Sequence, residues 1–518
     1  MPVWRRLNHA PVVAVLGVVG AAYTGSLSNP FFGSDTWPWL VSTRLESASD
    51  MMRVAFSPIM SGTSFVAEVA LFYHPLTALS YSLDQALFGL DPFAFHATNL
   101  LIHVAAVGAL YSLARGLGGS WWAACAAALL LGLHPIAAAT VPSLPRRQDM
   151  VVGALLVASM SLLARSTIGQ ARMRWWPLLL GAMGLFFLAL GGKEIAYAGV
   201  AVVPFVIACG WCRTRATHSA VPAHLKVAAL VVAGFVLLEV VAFGVRWRVL
   251  GGLGGYRGSA AAMGSTQGLL EFFVRPYVTD VLWPFQPAMP ERLRDWLLVV
   301  GGAGVVLGLA TTGFRGQRQL LVITGLVWHA GFLALYAVVH TSLSPYLLYV
   351  PLAGLGLLVC ALLDGAADPV KPAAWPGWAR LTRACAWLSA AGSALLLLGV
   401  LRTSALFTDY PEFRDAGSAS KQFIDQAVAC ITAAPSGAMV SVENLPHRID
   451  YGSSESQFMD AYVFEAYSLE SVVRLLAPES HAVVEVRSIQ DVSVRQPRIA
   501  VACSEADGQV QISARVQS

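Results

Sequence analysis

Long apolar blocks separated by short polar gaps make up most of this chain. A helix needs about 20 apolar residues to cross the hydrocarbon core of a bilayer. About eleven blocks approach that length, near 9–28, 94–114, 121–140, 150–164, 175–192, 195–212, 227–245, 296–313, 319–339, 346–363 and 384–401. The block near 150–164 is short and would have to tilt or extend. After residue 402 the pattern changes. There "DAGSASKQFIDQAVACI" has helical spacing, and "GAMVSVEN", "AVVEVRSI" and "RIAVACSE" alternate as strands do. The pattern predicts an α-helical polytopic membrane protein of about 11 transmembrane helices over 1–401, with a small α/β domain over 402–518.

Two gaps are too long for simple turns. The loop at about 29–92 contains "YHPLTALSYSLDQALFGL", expected to lie along the membrane interface. The loop at about 246–295 opens with "LGGLGGYRGSAAAMGS". It has neither the Lys-Ser/Thr ending nor the preceding strand of a phosphate-binding loop, and is expected as a flexible cover over a site. The first block follows the basic "MPVWRRLNHA" without a matching cleavage site, so it is expected to remain as a span.

Composition supports the membrane assignment. Of 518 residues 56% are hydrophobic and 12% charged, where soluble domains carry roughly 25% charged residues. The net charge of +4 makes no case for nucleic-acid binding. The positive charges gather in alternate gaps, at Arg5, Arg6, Arg115, Arg165, Arg213, Arg315, Arg318 and Arg380. By the positive-inside pattern, those gaps and the N-terminus are cytoplasmic. An odd number of spans then places Asp35 and the C-terminal domain outside the inner (plasma) membrane. Most cysteines lie in or beside spans, where thiols act as packing groups. Cys209 and Cys212 are spaced like half a metal site but have no second pair. Cys430 and Cys503 share the outer domain and are candidates for a disulfide.

Ionisable groups are costly inside a membrane and therefore informative. The outer gaps hold Asp35; His74 in "YHPLT"; Asp91, His96, Asn99 and His103; His134, Arg146, Arg147 and Asp149 in "LHPIAAATVPSLPRRQDM"; Lys193 and Glu194 in "GGKEIAY"; and Tyr349 in "SPYLLYVP". Each has a structural alternative to a catalytic role. Asp35 and Asp149 could cap helices, and Arg146 and Arg147 could anchor helix ends among headgroups. Lys193 and Glu194 could neutralise each other. The histidines and Asn99 suit helix packing. Glu239 stands deep in a span without an obvious partner.

The order "YHPLTALSYSLDQALFGLDPFAFHATNLLIH", "LHPI…RRQDM", "GKE" resembles the membrane half of the transmembrane-and-tetratricopeptide-repeat O-mannosyltransferases. The likeness is to a bacterial-type member without the repeats, within the protein O-mannosyltransferase-like GT-C glycosyltransferases. It covers about 30–360 and is most specific over 73–149. The chain departs from that pattern at Ser34, where an acid would precede Asp35, at His74 in place of Arg, and at Ala139 in place of Glu.

The resemblance implies transfer of a sugar from a polyprenyl-phosphate donor to an acceptor hydroxyl on the outer face, with inversion. It makes Asp35 the general base, as an acceptor hydroxyl requires. Arg146, Arg147 and Lys193 become candidates for the donor phosphate, whose developing charge needs cations. Asp149, Glu194, His74, His96 and Tyr349 are expected in support. No metal or cofactor is expected; the partners are membrane lipid, the lipid-linked donor and an acceptor. A transporter would instead place charges at the bilayer midplane, whereas here they gather at outer ends. A non-catalytic scaffold with a partner-binding tail is the other alternative.

Overall fold

The structure is a computed structural model that describes residues 10–168, 175–214, 221–256, 317–339, 344–367, 376–453, 458–506 and 509–517. Among these, 7 helices are long and apolar enough to cross a membrane: Pro92–Gly116, Trp121–Thr140, Leu144–Thr167, Glu194–Cys212, Leu225–Leu250, Gln317–Tyr336 and Pro345–Gly365. Shorter apolar helices occupy Ala10–Ala22, Trp175–Leu190 and Ala386–Arg402. Each coincides with an expected block. The block near 296–313 and most of the 246–295 loop lie outside the described residues.

In chain order the membrane half contains α1 (Ala10–Ala22), α2 (Thr36–Ser42), α3 (Ala48–Ala55), α4 (Ser64–Glu68), α5 (Pro75–Phe88) and α6 (Pro92–Gly116). It continues with α7 (Trp121–Leu133), α8 (Pro135–Thr140), α9 (Arg147–Ile168), α10 (Trp175–Leu190), α11 (Val203–Thr214) and α12 (Val221–Leu250). Then come α13 (Gln317–Val339), α14 (Tyr349–Ala367) and α15 (Pro376–Arg402). The short block expected near 150–164 extends at both ends because the chain enters α9 directly from a tight turn at Leu144–Arg146. The expected single span at 121–140 is broken where Pro135 removes a backbone donor. His134 covers the break, its Nδ1 accepting from the Ile136 amide at 3.2 Å.

Helix α9 packs between α6 and α10, and α14 against α7 and α13. Side chains tie α13 to α14: Trp328 Nε1 donates to Val350 O at 2.9 Å, and His329 Nδ1 lies 2.8 Å from Pro351 O. Among the described residues the Pro345–Gly365 span is mostly buried and central, whereas most residues of Leu225–Leu250 are exposed or half-buried.

The first long loop folds into α2 to α5 plus strand β1 (Ala70–Leu71). It pairs antiparallel with β2 (Gly255–Tyr256), the start of the second long loop. That second loop begins later than its composition suggests, because α12 runs on to Leu250.

The tail contains α16 (Pro411–Ala433), β3 (Met439–Glu443), β4 (Leu445–Ile449), α17 (Ala466–Leu476), β5 (Val483–Val486), β6 (Ile489–Val492), β7 (Arg498–Ala506) and β8 (Gln509–Gln517). The main sheet has order β5-β3-β8-β7, with β3 parallel to both neighbours and β7 antiparallel to β8. Strands β4 and β6 pair separately in parallel.

Strand β7 is an edge, and α16 closes it. Gln422 exchanges two bonds with the backbone of Pro497 and Ile499, at 3.0 and 2.8 Å. Gln426 does the same with Ile499 and Val501, at 2.7 and 3.1 Å. One step further along, Cys430 and Cys503 form a disulfide with a Cα separation of 6.3 Å. The series holds because four helical residues rise about 6 Å, close to two strand residues at about 6.6 Å. An otherwise open strand edge is thereby covered.

Candidate functional site

The turn that delivers Asp35 needs a glycine. Gly33 has φ +102°, and a Cβ there would come within 3.1 Å of Thr36 Oγ1 and 3.4 Å of Pro145. Asp35 follows as the residue before α2, yet its side chain makes no capping hydrogen bond. Its Oδ1 instead accepts from the Tyr467 hydroxyl of α17 at 2.5 Å, with Ser34 Oγ at 3.5 Å. Burial raises the Asp35 carboxyl above its ordinary range, opposed by the Tyr467 hydrogen bond and by the positive charge of Arg146.

Asp35 and Arg146 line one cavity, about 100 Å³ in volume, together with Phe32, Ser143, Gln148, Tyr346, Phe413, Asp460 and Tyr462. The membrane half and the C-terminal domain both contribute walls. Arg146 lies 4.4 Å from the Tyr346 ring centre. Its Nη1 donates to Ala139 O at 2.7 Å, and its Nη2 to the Asp460 carboxylate at 3.2 Å. The buried Gln148 Oε1 has no hydrogen-bond partner among the described residues.

Arg147 has a different place from its neighbour. Consecutive residues entering a helix face about 100° apart. Arg147 therefore turns into the bundle, fully buried. It pairs with Asp84 at 2.7 Å, Asn99 Oδ1 at 2.7 Å and Phe95 O at 3.0 Å, and lies 4.3 Å over the Tyr81 ring. Its Nε and both terminal nitrogens have partners within the protein, and it does not line the cavity.

Lys193 and Glu194 take different close partners rather than pairing with each other. Lys193 is extended (φ −167°, ψ 152°) just before a helical turn begins, so the two side chains diverge. Lys193 Nζ donates to both Asp149 oxygens, at 2.9 and 3.1 Å, and Tyr336 donates to the same carboxylate at 2.9 Å. Glu194 lies 2.6 Å from His74 Nε2 and 3.8 Å from Arg246. Tyr346 links this network to the cavity, since Lys193 Nζ is 5.6 Å from its ring.

His96 is buried with its ring stacked on Phe32 at 6.3 Å, behind the cavity wall. Tyr349 is deeper in the bundle, its hydroxyl 2.7 Å from His103 Nδ1. The residues missed by sequence reasoning are Tyr346, Asp460, Tyr462 and Tyr467. Tyr346 sits in the same "SPYLLYVP" turn as Tyr349, and the other three lie in the aromatic, acidic stretch "FMDAYVFEAYSLE".

No family model matches the chain. It is similar to protein O-mannosyl-transferases. Against the human protein O-mannosyl-transferase TMTC2 it is 36% identical over 107 residues, which is 20% of this chain and 13% of that protein. Against human TMTC3 it is 26% identical over 185 residues, 36% of this chain and 20% of that protein. The chain thus matches only a small part of the length of these relatives. The similarity is to the family named from the "YHPLT…RRQDM…GKE" series. A solved structure of ArnT from Cupriavidus metallidurans bound to undecaprenyl phosphate aligns over 98% of both chains, at 14% identity and a TM-score of 0.44.

Proposed function

We propose that this chain is a GT-C-type membrane glycosyltransferase that moves a sugar from a polyprenyl-phosphate-linked donor to an acceptor hydroxyl on the extracytoplasmic face. The supporting observation is the convergence of Asp35 and Arg146 on one cavity, with Asp35 left uncapped and raised in basicity by burial. Asp35 removes the acceptor proton as its oxygen bonds to the anomeric carbon. The bond from that carbon to the phosphate oxygen breaks, and the electron pair passes to the phosphate, held by Arg146. Lys193 acts behind Tyr346, fixing Asp149 and the cavity wall without touching the donor. Gln148 Oε1 is free to accept from a sugar hydroxyl. No step needs a metal or a cofactor.

The test incubates the purified full chain with several polyprenyl-phosphate sugars. A mannosyl donor comes first, because the similar proteins are named for mannosyl transfer. Asp35→Asn keeps the acceptor for the Tyr467 bond and removes the base, so turnover should fall about 10²- to 10⁴-fold. Wild-type turnover should persist in a chelator. Unchanged turnover in Asp35→Asn would eliminate that residue as the base.

A further inference from the structure

Both groups on which the proposed transfer depends already hold partners, supplied by one stretch of the C-terminal domain. Asp460 places a carboxylate oxygen 3.2 Å and its carbonyl oxygen 2.9 Å from Arg146 Nη2, and Met459 O lies 3.4 Å from Nη1. Seven positions on, the Tyr467 hydroxyl donates to Asp35 Oδ1 at 2.5 Å. One contact is an anion on the cation, the other a hydroxyl on the base. These are the two chemistries that a phosphate donor and a hydroxyl acceptor would bring.

We propose that Met459–Tyr467 is an intramolecular pseudo-substrate, with Asp460 in the place of the donor phosphate and the Tyr467 hydroxyl in the place of the acceptor. The chain then rests closed, and a polyprenyl phosphate must displace Asp460 to enter. The proposal rests on the reading of Asp35 and Arg146 given above.

Two further observations agree. The cavity of about 100 Å³ is well under the ~300 Å³ lower end of ligand pockets, so it has no room for a sugar phosphate until the stretch moves. The Arg146–Asp460 pair keeps side-chain exposures of 9% and 18%, whereas Arg147–Asp84 has 0% and 5%. Water reaches the first pair, so it can exchange partners; the second is locked. For the sugar-linked donor the swap is balanced in charge, because its phosphodiester brings the single negative charge that Asp460 removes.

The test measures binding of undecaprenyl phosphate, without sugar, to the purified full chain. Asp460→Asn should tighten binding about tenfold, since the competing charge-assisted contact is lost. Arg146→Gln should weaken it. In the wild type, saturating lipid should speed amide hydrogen exchange over 459–467. Should Arg146→Gln weaken binding while Asp460→Asn leaves it unchanged, the phosphate site stands and the pseudo-substrate falls. Equal affinity in wild type and Arg146→Gln overturns both. Unchanged exchange over 459–467 at saturating lipid overturns the pseudo-substrate whatever the variants do.

Discussion

At the residue scale, neighbouring Arg146 and Arg147 have opposite fates. Arg147 is buried against Asp84, and removing one partner of a buried pair leaves an uncompensated charge. Asp84→Ala should destabilise the protein by about 3–5 kcal/mol, read as a lower melting temperature in detergent. Arg146→Gln should lower the melting temperature much less than Asp84→Ala does and weaken donor binding. A fall in stability as large as that of Asp84→Ala would make Arg146 structural. Asp35 adds a pH signature. Its carboxyl is raised in the folded state, so its contribution to stability is present at low pH and lost as pH rises through the folded value. Asp35→Asn should therefore melt no lower than wild type at neutral pH, despite losing activity. The sequence marked Asp35 and the arginine pair. It could not say which arginine faces the cavity, because a single residue step around α9 decides it. Nor could it pair Asp35 with Tyr467, a contact across 432 positions with no local signal.

At the element scale, spans and strands were legible because run length and alternation report directly on burial. The apolar blocks became helices, and the alternating runs became β3, β5 and β7. Less legible was how the C-terminal domain reaches the site, since docking depends on close contacts between distant segments. Helix α16 approaches the first long loop so closely that a Cβ on Gly417 would lie 2.8 Å from Pro30 Cδ and 3.1 Å from its carbonyl oxygen. Gly417→Val should cost about 1–3 kcal/mol through overpacking and lower turnover by displacing Phe413 from the cavity wall. A variant with wild-type melting and turnover would show that this approach is slack. Beneath the docked stretch, His447 lies 2.8 Å from Asp491 and 3.0 Å from Glu465, with Arg448 3.9 Å from Asp491. The two carboxylates raise the His447 pKa, Glu465 most strongly. Its stabilising effect is complete below the ordinary histidine value of about 6.5 and is lost as pH rises through the higher folded value. Thermal melts of the full chain should fall from about pH 6.5 upward, and His447→Gln should flatten that slope. Parallel pH curves would show that the cluster is spent elsewhere.

At the scale of the whole molecule, one arrangement joins the charge pattern, the disulfide and the cavity. Asp35, the second half of the cavity wall and the Cys430–Cys503 bridge must share one side of the membrane, because Tyr467 of the disulfide-bearing domain touches Asp35. Arg115, Arg165 and Arg318 lie at the other ends of the helices that carry the site, at the close of α6, the close of α9 and the start of α13. If that side is the cytoplasm, the bridge forms in an oxidising compartment, where it persists. Its loop spans a sequence separation of 73, for which chain entropy gives roughly 4 kcal/mol of stabilisation at most. Two measurements meet here. A reporter active only outside the cytoplasm, fused after residue 517, should be active. Cys503→Ser should lower the stability of the full chain by about 2–4 kcal/mol in non-reducing conditions and by nothing in reductant. An inactive reporter would put Asp35 and Arg146 in the cytoplasm, where the disulfide would be reduced and the covered edge of β7 would depend on Gln422 and Gln426 alone. The catalytic proposal would then require a donor presented from the inner leaflet.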